Sequence, residues 1–158
     1  EQACHRLVTL RRPEAEGIPF AFVRSDPAGF VTKRLPLPNL PLPRYGGACP
    51  LWAVYQAFQS PETVVRQLAE FPSGDRFLFV ARAITKGEAA FGQPRRLLSI
   101  MLACDALYAD QIVYGDRLDL SAGAPADRVG TTCRLCAQRD CPQRQEDVII
   151  RQQGPEEA

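Results

Sequence analysis

Three of the chain's six cysteines fall within nine residues, in Thr132-Cys133-Arg134-Leu135-Cys136-Ala137-Gln138-Arg139-Asp140-Cys141-Pro142, at the spacing C-x2-C-x4-C. Thiolates held that close repel one another unless a cation neutralises them, and one disulfide can join only two of the three. The spacing suits zinc or an iron–sulfur cluster. Either group needs a fourth ligand from elsewhere, so the C-terminal loop has to fold back onto an earlier part of the chain. Four residues are candidates: Cys49, Cys104, Cys4 and His5. Cys49 is favoured. It follows Gly46-Gly47, whose backbone is permissive, and it precedes a predicted helix whose N-terminus favours a thiolate. Cys104 ends an apolar run, where a small buried thiol is the default reading. Cys4 and His5 lie on a polar helix. The metal set read from the sequence is therefore Cys49, Cys133, Cys136 and Cys141, holding a [4Fe–4S] cluster or zinc. Pro50 and Pro142 follow the outer two cysteines, as a proline follows the last cysteine of a bacterial ferredoxin run, and this leans towards the cluster.

At 158 residues the chain has the length of one domain. A net charge of +1 points to neither a nucleic-acid surface nor a membrane surface. Lys33 and Lys86 are the only lysines among 19 basic residues, so the cationic side chains are almost all arginine forks suited to carboxylate and phosphate. No apolar run approaches the roughly 20 residues that span a bilayer, and no signal-peptide pattern opens the chain. Six cysteines in a chain with an ordinary core read as thiols of an intracellular protein, and a cytoplasmic location is expected. The chain opens at Glu1 rather than a methionine, so a longer parent is expected.

Residues 1–11 read as a short helix. Gly17 to Leu35 reads as a β-hairpin turning at Asp26-Pro27-Ala28-Gly29, with Pro set for the second turn position and Gly free to take positive φ. Residues 36–47, with four prolines, read as an extended loop covering a sheet edge. A helix is predicted from Pro50 to Phe58. A second is predicted over 62–70, from Ser60 as cap, Pro61 at the first position, and Val64, Val65 and Leu68 on one face. Phe77–Ile84 reads as a strand, Arg95–Ala103 as the next strand although its periodicity alone also allows a helix, 105–114 as helical, and 115–127 as a loop. Val148–Ile150 is a short apolar run, and 152–158 a disordered tail. The predicted fold class is α+β: a mixed or antiparallel sheet with flanking helices, in the manner of small ligand-sensing GAF/PAS-like modules, plus the cysteine-rich loop.

Several blocks, taken in order over nearly the whole chain, resemble the C-terminal domain of the short-chain fatty acyl regulator family of bacterial transcription factors. They are EQACHRLVTLRRP, PFAFVRSDPAGFVTKR, GGACPLWAVYQAF, LACDALYADQIVYGDRLDL and GTTCRLCAQRDCPQR. The joint presence of GGxCPLW and CRLCxxxxCxQR is the specific signal. Beyond Arg144 the chain continues Gln-Glu-Asp, where the family tends to Ala-Phe-Pro. The resemblance implies a regulator of short-chain acyl-CoA metabolism. Residues 1–12 would be the tail of an upstream metallopeptidase-like region and 13–151 the ligand-sensing domain. DNA would be met only through an N-terminal helix-turn-helix domain that this chain does not contain. A homodimer is expected for a regulator of palindromic operators.

The ligand expected on this reading is a short-chain acyl-CoA or CoA. A pocket between the sheet and the helices at 50–58 and 62–70 would take its apolar end. Arg24, Lys33, Arg44 and Arg82 are the candidate phosphate partners, with Trp52 on the apolar side, although Trp52 and Phe58 at helical spacing also read as core. No Gly-rich phosphate loop with a following lysine is present. An enzyme is not expected. His5 is the only histidine, and a cysteine nucleophile would need it as base. The carboxylate pairs Asp105/Asp110 and Asp116/Asp119 read as solvated charge. A redox sensor built on the cluster, without acyl-CoA, is the alternative, and a thiol-dependent acyl transferase or thioesterase a more distant one.

Overall fold

The Asp26-Pro27-Ala28-Gly29 turn forms as its residues demand. Gly29 takes φ +91°, its amide donates to Asp26 O at 3.1 Å, and the Asp26 carboxylate accepts from the amide of Phe30 at 3.0 Å. The turn joins strand β1 (Ala21–Ser25) to β2 (Val31–Leu35). The structure, a computed structural model, describes residues 1–9, 17–87 and 90–149. Within them the order continues with helix α1 (Gln2–Thr9) before the hairpin, then α2 (Ala53–Gln56), β3 (Val64–Glu70), β4 (Arg76–Thr85), β5 (Leu97–Asp105) and β6 (Asp127–Arg128). The strands make one six-stranded sheet in the order β2-β1-β5-β4-β3-β6, antiparallel except for the parallel β3–β6 pair. The fold is thus α+β on a mixed sheet, as expected, with few helices among the described residues. The upstream boundary near residue 12 and the tail 152–158 lie outside them.

One expected helix is a strand. Ser60-Pro61-Glu62, which looks like a helix start, is instead a turn. Thr63 N donates to Ser60 O at 3.2 Å, and Glu62 takes φ +66°, the left-handed value a type II turn needs at its third residue. Glu62 N then bonds Ala83 O at 2.8 Å, and residues 64–70 pair with 82–76 along the whole of β3. The apolar spacing of Val64, Val65 and Leu68 suited a helix face. The β-branched run Thr63-Val64-Val65 suited a strand, and pairing with β4 decided between them. The expected helix at 105–114 is likewise two 3₁₀ turns, Ala106–Gln111 and Val113–Gly115, the first capped by Asp105 accepting from Leu107 N at 2.9 Å.

The two faces of the sheet differ. Ala21 and Val23 of β1, Phe79, Ala81 and Ala83 of β4, and Met101 and Ala103 of β5 face α2. They form the main core with Trp52, Ala53, Val54 and Ala57. The alanines let α2 and the wholly buried Trp52 ring come close to the sheet; Trp52 stacks at a tilt on Phe79, centroids 5.2 Å apart. Leu37 and Leu40 of the proline-rich loop are buried in this same core, so that loop covers a face of the sheet rather than an edge. On the opposite face α1 lays Val8 over Phe22 and Ile100, and further along Leu78, Cys104 and Ala109 form a third cluster.

Trp52, the residue before α2, makes no side-chain cap bond. The buried Gln67 of β3 supplies one. Its Oε1 accepts from Ala53 N at 2.8 Å, while Nε2 donates to Leu51 O at 2.9 Å and to Asp127 Oδ2 at 2.8 Å. One side chain thus satisfies α2, the preceding turn and the start of β6. Replacing Gln67 with Leu should leave buried polar partners unmatched and cost about 2 kcal/mol or more, read as a lower urea midpoint at unchanged slope.

Burial pushes the Cys104 thiol up to about 12, with neighbouring Asp105 adding to the shift. The folded value lies above the ordinary one, so the stability gained by keeping this thiol neutral is full below about pH 8.5 and is lost as pH rises through about 12. Cys104 should resist alkylation at pH 8 until the chain unfolds, and Cys104→Ala should flatten the alkaline decline in stability.

Candidate functional site

The residues that build the site come from the sheet edge outward. β6 runs parallel to β3, with Ala69 opposite Asp127 and Glu70 opposite Arg128, and Val129 N bonds Glu70 O at 2.9 Å. This delivers Gly130 and Thr131 to the turn before α2. Trp52 Nε1 donates to Gly130 O at 2.8 Å, and Cys49 N donates to Thr131 O at 2.9 Å. A Cβ on Gly130 would lie 2.8 Å from the Cys136 sulfur, so only glycine lets that side chain pack against the backbone here. The segment after Thr132 then turns tightly. Cys133–Leu135 is a 3₁₀ turn, and Cys136 N bonds Cys133 O at 3.3 Å.

Cys49, Cys133, Cys136 and Cys141 line one small cavity, together with Pro50, Leu51, Gly130, Gln138 and Arg144. Cys49 and Cys136 are buried, Cys133 and Cys141 half-buried, and no disulfide joins any of them. The four are not drawn onto a point: among the described residues no group of three or more His, Cys, Asp or Glu has the closed geometry of an ion site. The chemistry of the lining nonetheless fits a thiophilic metal, because all four donors are sulfur and the charged side chain beside them is a cation. Burial raises the Cys49 thiol above its ordinary value. Hydrogen bonds with the backbone of Gly130 and Leu51 work against this, and the neighbouring Cys133 and Cys136 add to it. The expectation that a helix N-terminus favours thiolate at Cys49 is therefore not met: α2 has only four residues, and desolvation wins. The other nominees lie elsewhere. Cys104 is in the third core cluster, Cys4 packs in the cluster under α1, and His5 sits edge-on to Phe22, centroids 6.0 Å apart.

Beside this cavity, and sharing Pro50 and Cys133 with it, lies an open groove of about 680 Å³. Its walls are the hairpin tip (27–30), residues 45–48, Tyr55 and the cysteine loop. Phe30 and Tyr45, 58% and 87% exposed, stand at the groove. Tyr55 fixes its floor, since the hydroxyl accepts from Ala48 N at 2.7 Å and donates to Gly29 O at 2.8 Å.

The candidate ligand residues do not gather there. Trp52 is wholly buried, with its N–H committed to Gly130, so its ring offers no surface to a ligand. Lys33, Arg24 and Arg82 lie in one row across the sheet, with Ile100 between the last two, on the face turned away from α2. Arg24 pairs with Glu1 at 2.6 Å, and Arg82 with Glu62 at 2.6 Å. Lys33 lines a separate cleft of about 550 Å³ with Glu1, His5, Arg6 and Lys86. Only the exposed Arg44 neighbours the groove, beside Tyr45. The pocket expected between the sheet and helices 50–58 and 62–70 is absent from the described residues, because 64–70 is a sheet strand and the α2 face is filled by core. The sequence reading also gave no role to Gly130, Gln67 and Arg144. Gly130 and Arg144 carried a signal, as the first and last residues of the GTTCRLCAQRDCPQR block, and Gln67 carried none.

Comparison with known proteins gives a consistent result. The chain is 46% identical over 144 residues to the propionyl-CoA carboxylase regulator of Cereibacter sphaeroides. It is 41% identical over 146 residues to the HTH-type transcriptional regulator RamB of Mycobacterium tuberculosis, and 38% over 144 to the regulator PrpR of that organism. Each match covers 91% of this chain but only 30–31% of the relative, so the chain spans under a third of their length. A solved structure of a Mycobacterium tuberculosis transcriptional regulator superposes with a TM-score of 0.85 at 37% identity, covering 92% of this chain and 44% of that one. The family model for the short-chain fatty acyl coenzyme A regulator C-terminal domain matches residues 9–158, and the chain belongs to that family.

Proposed function

We propose that this chain is the effector-sensing part of a bacterial transcription regulator of short-chain acyl-CoA metabolism. It binds acyl-CoA or CoA in the groove and holds a [4Fe–4S] cluster or zinc at Cys49, Cys133, Cys136 and Cys141. The observation that carries this reading is the shared wall: Pro50 and Cys133 line both the groove and the four-cysteine cavity. The groove volume falls in the range of small-ligand sites. A metal bound at the sulfurs would cross-link the C-terminal loop to the turn before α2, and a cluster would add a redox couple. The chain's own residues do the rest. Cys49 is anchored by its backbone to Thr131, and Phe30 and Tyr45 offer stacking surfaces. Tyr55 ties the hairpin tip to residues 47–48. A ligand that favours one arrangement of this wall shifts the balance between two states of the regulator. DNA would be met through a helix-turn-helix domain outside this segment, in a homodimer.

A thiol-dependent enzyme is the weaker reading. His5 packs against Phe22 on the α1 face, and no imidazole stands beside Cys49, Cys133, Cys136 or Cys141 to act as base. Among the described residues no helix is long and apolar enough to cross a membrane.

Anaerobic reconstitution with iron and sulfide, and separately with zinc, followed by metal analysis and a visible spectrum, tests the cysteine site. Cys136→Ser should abolish retention of the metal and expose the remaining thiols, while the hairpin 21–35 stays folded by amide exchange. Retention unchanged in that variant would remove Cys136 from the ligand set.

Calorimetry tests the groove. A two- or three-carbon acyl group buries few methylenes, at about 0.8 kcal/mol each, so CoA and propionyl-CoA should differ by only a few-fold to about tenfold. Tyr45→Ala and Arg44→Ala should weaken both alike, and free propionate should bind poorly. Tight binding of propionate with none of CoA would overturn the phosphate-anchored reading. Metal retention without any CoA heat would favour the cluster-based redox sensor.

A further inference from the structure

The loop that carries Cys133, Cys136 and Cys141 has almost no regular structure, only the 3₁₀ turn at Cys133–Leu135. Such a segment loses backbone entropy when it orders, and something has to offset that loss. One side chain lies at its centre. Arg144 Nη1 donates to Cys133 O at 2.9 Å and to Glu146 O at 3.2 Å; Nη2 donates to Cys136 O at 3.2 Å and to Gln138 O. Its own backbone N–H donates to Cys141 O at 3.1 Å. Arg144 therefore bonds the main chain of all three cysteines in the motif. No carboxylate pairs with it among the described residues, whereas Arg134 nearby pairs with Glu146 at 3.0 Å. Gln145, the next residue, places its N–H 3.5 Å from the Cys133 sulfur.

We propose that Arg144 is the positioning residue of the cysteine site: its guanidinium fork pre-forms the loop, so that Cys133, Cys136 and Cys141 face Cys49 before any metal arrives. A planar guanidinium presents several donors in a fixed geometry and bonds carbonyls more strongly than a neutral donor. Lysine carries the same charge on a single flexible point and cannot span these carbonyls together. The metal half of the inference rests on the reading of the four cysteines as a metal site; the pre-formed loop does not.

The experiment compares the unaltered chain with Arg144→Lys and Arg144→Ala. In metal-free protein, native alkylation by iodoacetamide is followed at each cysteine by mass spectrometry. Zinc affinity is measured by competition with a chromophoric chelator, and Trp52 fluorescence reports whether the core is folded. Both variants should alkylate Cys133 and Cys136 roughly tenfold faster or more, through local opening of the loop. Both should bind zinc about 10–100-fold more weakly, at an unchanged core signal. Full rescue by Lys would show that charge suffices and would overturn the clamp, as would wild-type alkylation rates in Arg144→Ala. Should the Ala variant fail to fold, the Lys variant carries the same comparison. Should the unaltered chain retain no metal, the metal reading fails, and the alkylation rates still decide the clamp.

Discussion

A buried amide has to meet its partners or its burial is costly, and Gln67 meets three, two at the start of α2 and one in β6. It takes the first free amide of α2, the carbonyl of Leu51 and the carboxylate of Asp127. The arrangement is possible only in the register that turns residue 67 of β3 towards α2. It also orients Asp127 so that β6 can pair parallel to β3. The second link follows from the first: once β6 is in place, Gly130 O meets the indole N–H of Trp52, and Thr131 O meets Cys49 N. The cysteine loop thus leaves the sheet beside the turn before α2.

The sheet divides the electrostatics as well as the packing. Its alanine-rich face is consumed by α2, Trp52 and the leucines of the proline-rich loop. The other face carries the cross-strand row Lys33, Arg24 and Arg82, in which two of the three cations already have acidic partners. Exposed pairs of this kind are worth little to stability, so Arg82–Glu62 is better understood as a neutralised surface than as a structural tie. The groove by contrast is walled by backbone, aromatic rings and the cysteine loop, with Tyr55 bonded at both ends of its hydroxyl. In the proposed function a ligand there would be read by stacking and main-chain contacts, with charge supplied from the rim.

The four cysteines surround their cavity unjoined by any disulfide, and at Cys49 burial raises the thiol more than the local hydrogen bonds lower it. A soft cation would reverse that balance, because a coordinated thiol is deprotonated by the metal itself. The same desolvation that raises a free thiol would then strengthen the metal–thiolate attraction. Arg144 stands where the extra negative charge would appear.

Much of this was legible in residue order. The hairpin turn was written in Asp-Pro-Ala-Gly, because glycine takes the positive φ of position 29 cheaply and proline presets the second turn position at 27. The strand at Phe77 followed from its short apolar composition and the family from the joint cysteine blocks, while at Leu97 periodicity also allowed a helix and pairing with β1 and β4 decided for a strand. Local rules failed at 62–70, where cap-like residues and helical spacing lost to seven paired positions on β4, a partner that spacing within the segment cannot show. They failed at Trp52, whose aromatic character suits a ligand wall and a core equally until the indole N–H is found bound at Gly130. The candidate cations were chosen by type, yet which face of the sheet they share depends on strand register and was decided only by the assembled sheet. By itself the sequence determined the turn chemistry, the fold class and the cluster of thiols in one loop, since these rest on neighbours within about ten residues. Tertiary structure alone decided that Cys49 meets that loop, that the groove shares its wall, and that one guanidinium gathers the loop's carbonyls. The first two join segments that the parallel β3–β6 pairing and the buried amide of Gln67 help bring together; the third lies within residues 133–146, where spacing alone does not show which carbonyls one fork reaches.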